Sequence, residues 1–177
     1  MGYGRTGTMF AFEQAGIDPD IVCLGKSLSG GYLPMSATVV RDTIYDTFGD
    51  TPHDNTLYHG HTFGGNPIAA AAALATLDVY RDEQIVKKAV AIGGYFKSQI
   101  PSFMAMPQVH HARSLGAILA VELKDVTKAR AVRNQLFAQG YLVRPLGGVV
   151  YVMPPLTTES ATLYELIEAL RAGIHAE

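Results

Sequence analysis

The stretch Ile21-Val-Cys-Leu-Gly-Lys-Ser-Leu-Ser-Gly-Gly31 joins a short apolar segment to a lysine and a glycine-rich turn. Its pattern predicts a β-strand over residues 21–24 that ends just before Lys26, a placement suited to a lysine that forms a Schiff base. A free lysine has a pKa of about 10.4 and is a poor nucleophile at neutral pH, so this role requires an apolar wall and nearby positive charge. We expect the strand to supply that wall. An ordinary solvated loop lysine is the alternative.

The composition is typical of a globular protein. Of the 177 residues, 48% are hydrophobic and 17% are charged, which is below the roughly 25% charged residues of an average soluble domain. The low charge predicts that a partner covers part of the surface. The net charge of −2 and the scattered basic residues argue against nucleic acid and anionic lipid as partners.

The cysteine content and the apolar runs bear on localisation. Cys23 is the single cysteine and cannot form an internal disulfide, which fits a reducing compartment and makes the cytoplasm the expected location. The alanine-rich residues 68–77 form too short a run to span a bilayer, so we expect neither a membrane segment nor a leader.

The first 66 residues are rich in glycine and turn signals. They predict short strands over residues 21–24 and 37–40 and a short helix over residues 42–48. Asn66-Pro67 then predicts the start of a long helix, because a capping residue precedes a proline at the first helical position. We expect this helix to continue to about residue 92.

A break or kink is predicted at Gly93-Gly94, and Pro101 and Pro107 are expected to frame a connector. We therefore assign residues 1–100 and residues 101–177 to different domains. The second domain has the pattern of a compact α+β unit, with strands over residues 116–123, 141–144 and 149–153 and helices over residues 127–139 and 159–174.

Two local signals support the helices of this α+β unit. Gly140 is predicted to close the first of them as a left-handed cap. The last helix has apolar residues at spacings of three and four, which predict one buried stripe, namely Leu163, Leu166, Ile167, Leu170 and Ile174.

The opening motif Gly2-Tyr-Gly-Arg-Thr-Gly7 matches the dinucleotide-binding fingerprint by letters. That fingerprint needs a preceding strand and an acidic residue about 20 positions later, whereas Asp18 and Asp20 follow too soon. A glycine-rich loop that packs near a site is the favoured interpretation, and a nicotinamide oxidoreductase is the alternative.

The segment Tyr58-His-Gly-His-Thr-Phe-Gly-Gly-Asn66 lies just before a predicted helix start, where free N–H groups and the helix dipole favour an anion such as a phosphate. The hydroxyl of Thr62 can donate to a phosphate oxygen. His59 and His61 lack further ligands at metal-binding spacing, so we predict no metal site.

Arg144-Pro-Leu-Gly-Gly148 places a guanidinium at the end of a predicted strand and before a tight turn. The restricted backbone and the planar fork of arginine suit a carboxylate clamp. An ordinary surface ion pair is an equally good interpretation.

Taken together, these blocks, with Asp18-Pro-Asp-Ile-Val-Cys-Leu-Gly-Lys26 and Gly30-Gly-Tyr-Leu-Pro34, resemble the class III aminotransferases over nearly the whole chain. Tyr151-Val-Met-Pro-Pro155 and the His-Gly-His-Thr block favour a subfamily that acts in biotin biosynthesis. The resemblance implies an α/β protein of the fold-type I pyridoxal-phosphate-dependent transferases, here as part of the large domain plus a small C-terminal α+β domain.

The resemblance also implies roles for individual residues. Lys26 would bind pyridoxal 5′-phosphate covalently and carry the proton to and from the substrate, and Thr62 would hold the cofactor phosphate of a neighbouring subunit in a homodimer with interface active sites. Gly60 would belong to the same substrate-binding loop, and Arg144 would clamp the carboxylate of a 7-oxononanoate chain. S-adenosylmethionine is the expected amino donor, and lysine is the alternative donor.

Members of this family have a longer N-terminal portion with a phosphate cup, an aromatic ring that stacks on the cofactor, and an aspartate that pairs with its pyridine nitrogen. We therefore expect these 177 residues to be the C-terminal part of the enzyme, with weak cofactor binding and little turnover when expressed alone. The alternatives are a non-catalytic dimerising protein that retains the fold and another class III aminotransferase that acts on an ω-amine.

Overall fold

The computed structural model describes residues 1–48 and 55–177. Its elements, in chain order, are α1 (Ala11–Ala15), β1 (Ile21–Leu24), β2 (Ala37–Val40), α2 (Asp42–Tyr45), α3 (Pro67–Asp82), α4 (Ile85–Met104), β3 (Val109–Ser114), β4 (Leu119–Leu123), α5 (Ala129–Ala138), β5 (Arg144–Leu146), β6 (Val149–Val152) and α6 (Ser160–His175). Short 3-10 turns lie at Asp46–Phe48 and Val126–Lys128. No helix of the described ranges is long and apolar enough to cross a membrane.

Contacts between Cα atoms divide the chain into two compact units. We call Phe12–Gln84 the N-terminal unit, and Tyr3–Ala11 together with Ile85–Glu177 the C-terminal unit. The boundary between the two units therefore follows Gln84, and the segment Tyr3–Ala11 near the start of the chain belongs to the C-terminal unit. The assignment of residues 1–100 and 101–177 to different domains concerns the complete protein and stays a prediction.

In the N-terminal unit, β1 and β2 form a two-stranded antiparallel sheet in which Ile21 pairs with Val40 and Leu24 with Ala37. Both strands have the bounds predicted from the sequence. Arg41, directly after β2, closes the open end of this hairpin through ion pairs with Asp18 and Asp20 at 2.6 and 2.9 Å. The predicted short helix over residues 42–48 is present as α2 and the 3-10 turn that follows it.

Helix α3 begins where the sequence predicts it. The Asn66 side chain accepts hydrogen bonds from the backbone N–H groups of Ile68 and Ala69, at 2.9 and 3.2 Å, and Pro67 occupies the first turn. The prediction of a single helix to about residue 92 is wrong, because the chain turns at Gln84, whose φ is +52°, and a new helix starts at Ile85.

The predicted break at Gly93-Gly94 and the connector from Pro101 are also wrong, since Gly93, Gly94 and Pro101 lie inside α4. Gly93 allows close approach of another segment, because a Cβ there would lie 2.9 Å from the carbonyl oxygen of Gly116. Beyond Pro101 the helical hydrogen bonding continues, and the N–H of Ala105 donates to the Pro101 carbonyl at 3.1 Å.

The C-terminal unit is an antiparallel four-stranded sheet in the order β3-β4-β6-β5, with helices α4, α5 and α6. Strand β3 was not predicted, because its only buried residues are Val109 and Ala112 and its other side chains are mostly polar. The strand predicted over residues 141–144 is shifted in the structure, because β5 begins only at Arg144 and ends at Leu146. Tyr141 belongs to the helix cap, since its N–H donates to the Leu136 carbonyl at 2.9 Å and Gly140 has a φ of +88°.

The core of the described residues lies mainly in the C-terminal unit. Its fully buried side chains include Phe96, Phe103, Leu119, Val121, Leu136, Ile167 and Leu170. The predicted stripe on α6 is confirmed, with four of its members buried and Leu166 partly buried. Among its described residues, the N-terminal unit buries few side chains, namely Leu28, Ser29, Ala69 and Ala73.

Candidate functional site

Lys26 follows Gly25 at the end of β1 and has a left-handed backbone, with a φ of +45°. This conformation costs a non-glycine residue roughly 1–2 kcal/mol, and it is concentrated at functional sites. The turn around Lys26 is closed by a hydrogen bond from the Leu28 N–H to the Gly25 carbonyl at 3.1 Å. Nothing in the sequence indicates a positive φ at this lysine, because glycine is the residue expected in such a position.

A cavity of about 980 Å³ lies beside Lys26 in the N-terminal unit. Its wall comes from Lys26, from the loop that contains Tyr32 and Leu33, and from the segment His61 to Asn66 that leads into α3. The volume lies within the range of roughly 300–1,000 Å³ that is usual for small-molecule sites. Two motifs that are 35 residues apart in sequence, at Lys26 and His61, therefore contribute to one concave site.

The side chain of Lys26 is exposed, so the predicted apolar wall around the amine is wrong for this chain. The strand expected to supply it is itself open to solvent, with Ile21 52% exposed and Cys23 also exposed. The physical reason is that β1 has β2 as its one strand neighbour among the described residues, which leaves much of the sheet uncovered.

Gly60 and Thr62 lie in the exposed segment before α3, and neither lines the cavity beside Lys26. Asn66 already accepts hydrogen bonds from two N–H groups at the start of α3, so fewer free donors remain there for an anion than the sequence predicts. His61 Nδ1 accepts a hydrogen bond from the Phe63 N–H at 3.2 Å. Among the described residues, no group of three or more His, Cys, Asp or Glu side chains is placed to hold a metal ion.

Arg144 is the first residue of β5 in the C-terminal unit, opposite Tyr151 of β6. Its side chain is exposed, and no carboxylate of the described residues lies within ion-pair distance of it. The guanidinium is therefore available to a ligand, and the surface ion pair considered from the sequence does not form within the described part of the chain.

The loop of the opening glycine motif packs within the C-terminal unit. Arg5 donates to the Pro154 carbonyl at 2.5 Å, and the Arg5 carbonyl accepts from the Ala117 N–H at 3.0 Å. A Cβ on Gly4 would lie 3.3 Å from the Leu156 side chain. These contacts cover the loop with protein, so its glycines serve close packing, and a dinucleotide phosphate has no support here.

Solved structures that match this chain place its fold among the pyridoxal-phosphate-dependent transferases of fold type I. A solved amine transaminase from an uncultivated Pseudomonas species, in its PLP-bound form, is 30% identical with a TM-score of 0.88, over 99% of this chain and 42% of that one. The family model "Aminotransferase class-III" matches residues 1–174, and the chain belongs to that family.

Two curated relatives show the range of similarity. The adenosylmethionine-8-amino-7-oxononanoate aminotransferase of Helicobacter pylori is 38% identical over 97% of this chain and 43% of its own length. An omega-aminotransferase of Caulobacter vibrioides is 32% identical over 96% of this chain and 40% of its own length. The chain thus spans about two fifths of the length of these relatives.

The cofactor of the family is pyridoxal 5′-phosphate, and the cavity beside Lys26 fits it in two respects. An amine stands at its edge, and the backbone there is held in a strained turn. The cavity supplies no acidic side chain among the described residues that line it, so a partner for the pyridine nitrogen is not found within it.

Proposed function

We propose that this chain is part of an aminotransferase that converts 8-amino-7-oxononanoate to 7,8-diaminononanoate in biotin biosynthesis, with S-adenosylmethionine as amino donor. The observation that carries the proposal is Lys26 at the edge of a ligand-sized cavity, in a chain 38% identical to an enzyme named for that reaction. The cytoplasm is the expected location.

Lys26 and Arg144 would have different roles in this reaction. Lys26 Nζ would bind the cofactor and, once free, hold the proton taken from the amino-bearing carbon of the donor. Pyridoxal phosphate, when bound, supplies the electron sink for removal of that proton. Arg144 would orient the acceptor through its carboxylate, because a planar guanidinium can form two parallel hydrogen bonds to it.

We further propose a homodimer in which the segment with Gly60 and Thr62 serves the cofactor and substrate of the neighbouring subunit. Two features support a covered surface. Helix α3 has no charged residue before Asp78, and Ile68 and Leu74 on it are 69% and 64% exposed. A helix that is apolar on all sides is normally buried. The exposed Gly60-Thr62 segment is then free to reach a second copy.

A labelling experiment tests the role of Lys26. The chain, co-expressed with the part of the Helicobacter pylori relative that it does not match, is incubated with pyridoxal phosphate, reduced with borohydride and digested, and the modified lysines are counted by mass spectrometry. We expect the label to concentrate on Lys26 over Lys97, an exposed lysine of α4 that serves as the internal control. Lys26→Ala should abolish the selective label, and Lys97→Ala should leave it. Equal labelling of both lysines would reject the proposal.

A second experiment identifies the reaction. The chain is co-expressed with the part of the Helicobacter pylori relative that it does not match, and the purified complex is assayed with two amino donors. Transfer from S-adenosylmethionine to 8-amino-7-oxononanoate supports the biotin-pathway role. Transfer from an ω-amine alone favours the second candidate, an omega-aminotransferase. Selective labelling of Lys26 without transfer from either donor indicates a non-catalytic protein that retains the fold.

A further inference from the structure

Ser29 lies three positions after Lys26 and is buried to an unusual degree for a polar residue. Ser29 is 2% exposed. Thr6 is the one other buried polar residue in the described ranges. Its hydroxyl donates to the Leu33 carbonyl and accepts from the Leu33 N–H at 3.4 Å. One side chain therefore satisfies both backbone groups of a residue four positions later.

The segment between Lys26 and Leu33 is a chain of tight turns. The Gly30 N–H donates to the Ser27 carbonyl and the Tyr32 N–H donates to the Ser29 carbonyl, both at 3.2 Å. Gly30 and Gly31 have positive φ values of 63° and 85°. The hydrogen bonds of the buried Ser29 hydroxyl join the middle of this loop to its end at Leu33.

This loop also forms part of the cavity wall. Tyr32 and Leu33 line the cavity together with Lys26, and the loop rests on α3, where a Cβ on Gly30 would lie 3.0 Å from Thr76 Oγ1. Thr76 Oγ1 in turn donates to the Ala72 carbonyl at 2.8 Å. The position of Leu33, and hence of the wall that it forms with Tyr32, depends on the hydrogen bonds made by Ser29.

We propose that Ser29 is a positioning residue that holds the Tyr32-Leu33 wall in place beside Lys26. The inference rests on the proposed function, because it assigns Ser29 to the lysine site described there. Ser29 itself does not line the cavity, so it acts through the loop. Without its hydroxyl, the Leu33 N–H and carbonyl lose their partner, and the loop between residues 26 and 33 opens to recover hydrogen bonds with water.

The borohydride labelling experiment, repeated on variants of the whole chain, tests this role. For Ser29→Ala we expect selective labelling of Lys26 to fall about tenfold or more, because both hydrogen bonds of a buried hydroxyl are lost. Labelling of Lys97 in the same sample should stay unchanged, and circular dichroism of the variant checks that its secondary structure is retained. Ser27→Ala is the matched control, because no hydrogen bond of the Ser27 hydroxyl is found among the described residues.

The outcomes separate this inference from the proposed function. If wild-type labelling does not favour Lys26, the proposed function fails. If wild type labels Lys26 selectively and Ser29→Ala does so equally well, the positioning role is overturned and the proposed function stands. If Ser29→Ala unfolds, Ser29→Thr decides, because it keeps the hydroxyl. Retained labelling of Lys26 in Ser29→Thr supports the role, and its loss overturns it.

Discussion

Gly116 and Thr6 lie so close together that a Cβ on Gly116 would be 2.2 Å from the carbonyl carbon of Thr6. The next residue, Ala117, donates its N–H to the Arg5 carbonyl at 3.0 Å. Two segments separated by more than 100 residues thus touch backbone to backbone, and the absence of a side chain at residue 116 makes the contact possible. The opening glycine motif is fixed to the C-terminal unit by this contact.

We expect Gly116→Ala to lower the free energy of unfolding by more than about 2 kcal/mol, because the new methyl group meets rigid backbone at a positive φ. Gly147→Ala is a matched control. Gly147 has a φ of +57° against +51° for Gly116, and a methyl group added there would have no other atom within 4 Å. Urea unfolding of both variants measures the difference. Equal losses would show that backbone strain alone, without the contact to Thr6, accounts for the effect.

Local signals in the sequence predicted local structure well. Asn66-Pro67 specified the start of α3, and Gly140 specified the end of α5, because each acts on backbone groups within a few residues. The break at Gln84 and the continuous helix through Gly93 could not be predicted in the same way. Gln84 carries no turn signal, and Gly93 is explained by Gly116, a neighbour in space that is distant in sequence.

The candidate site, like the fold, could be predicted from the sequence only in part. The motif around Lys26 indicated the lysine, and the structure places it at a cavity with His61. The left-handed backbone of Lys26 and the inward-facing hydroxyl of Ser29 are results of the loop's turns, which the letters of the motif do not specify. The expected burial of the lysine depended on a wall that β1 and β2 do not form in this chain.

The cap of α3 gives a second prediction. Asn66→Ala should weaken the start of this helix by about 1 kcal/mol, because the N–H groups of Ile68 and Ala69 lose their acceptor. Asn66→Asp should retain most of the stability, since an aspartate oxygen caps a helix as well as asparagine does. Hydrogen-exchange rates of the amides in the first turn of α3 measure both. Unchanged rates in Asn66→Ala would contradict the assigned cap.

Tyr95 of α4 gives the third prediction, which concerns alkaline pH. Its hydroxyl is buried without a hydrogen-bond partner in the described ranges, and burial, followed by the charges of Glu168 and Tyr164, raises its pKa above the ordinary value. The folded state therefore favours the neutral phenol. The neutral phenol of Tyr95 contributes to folding stability in full below the unfolded-state pKa of about 10. That contribution is lost as the pH rises through the higher folded-state pKa.

We expect Tyr95→Phe to match or exceed wild-type stability at pH 7, by up to about 1 kcal/mol, because it removes a buried hydroxyl that forms no bond. Above about pH 10 the variant should lose less stability than wild type, since it lacks the titrating group. Tyr45→Phe is the control for removal of a phenolic hydroxyl from an exposed position, because Tyr45 is 67% exposed. Thermal unfolding at neutral and alkaline pH measures both effects. A destabilised Tyr95→Phe at pH 7 would mean that the hydroxyl has a partner in the folded protein.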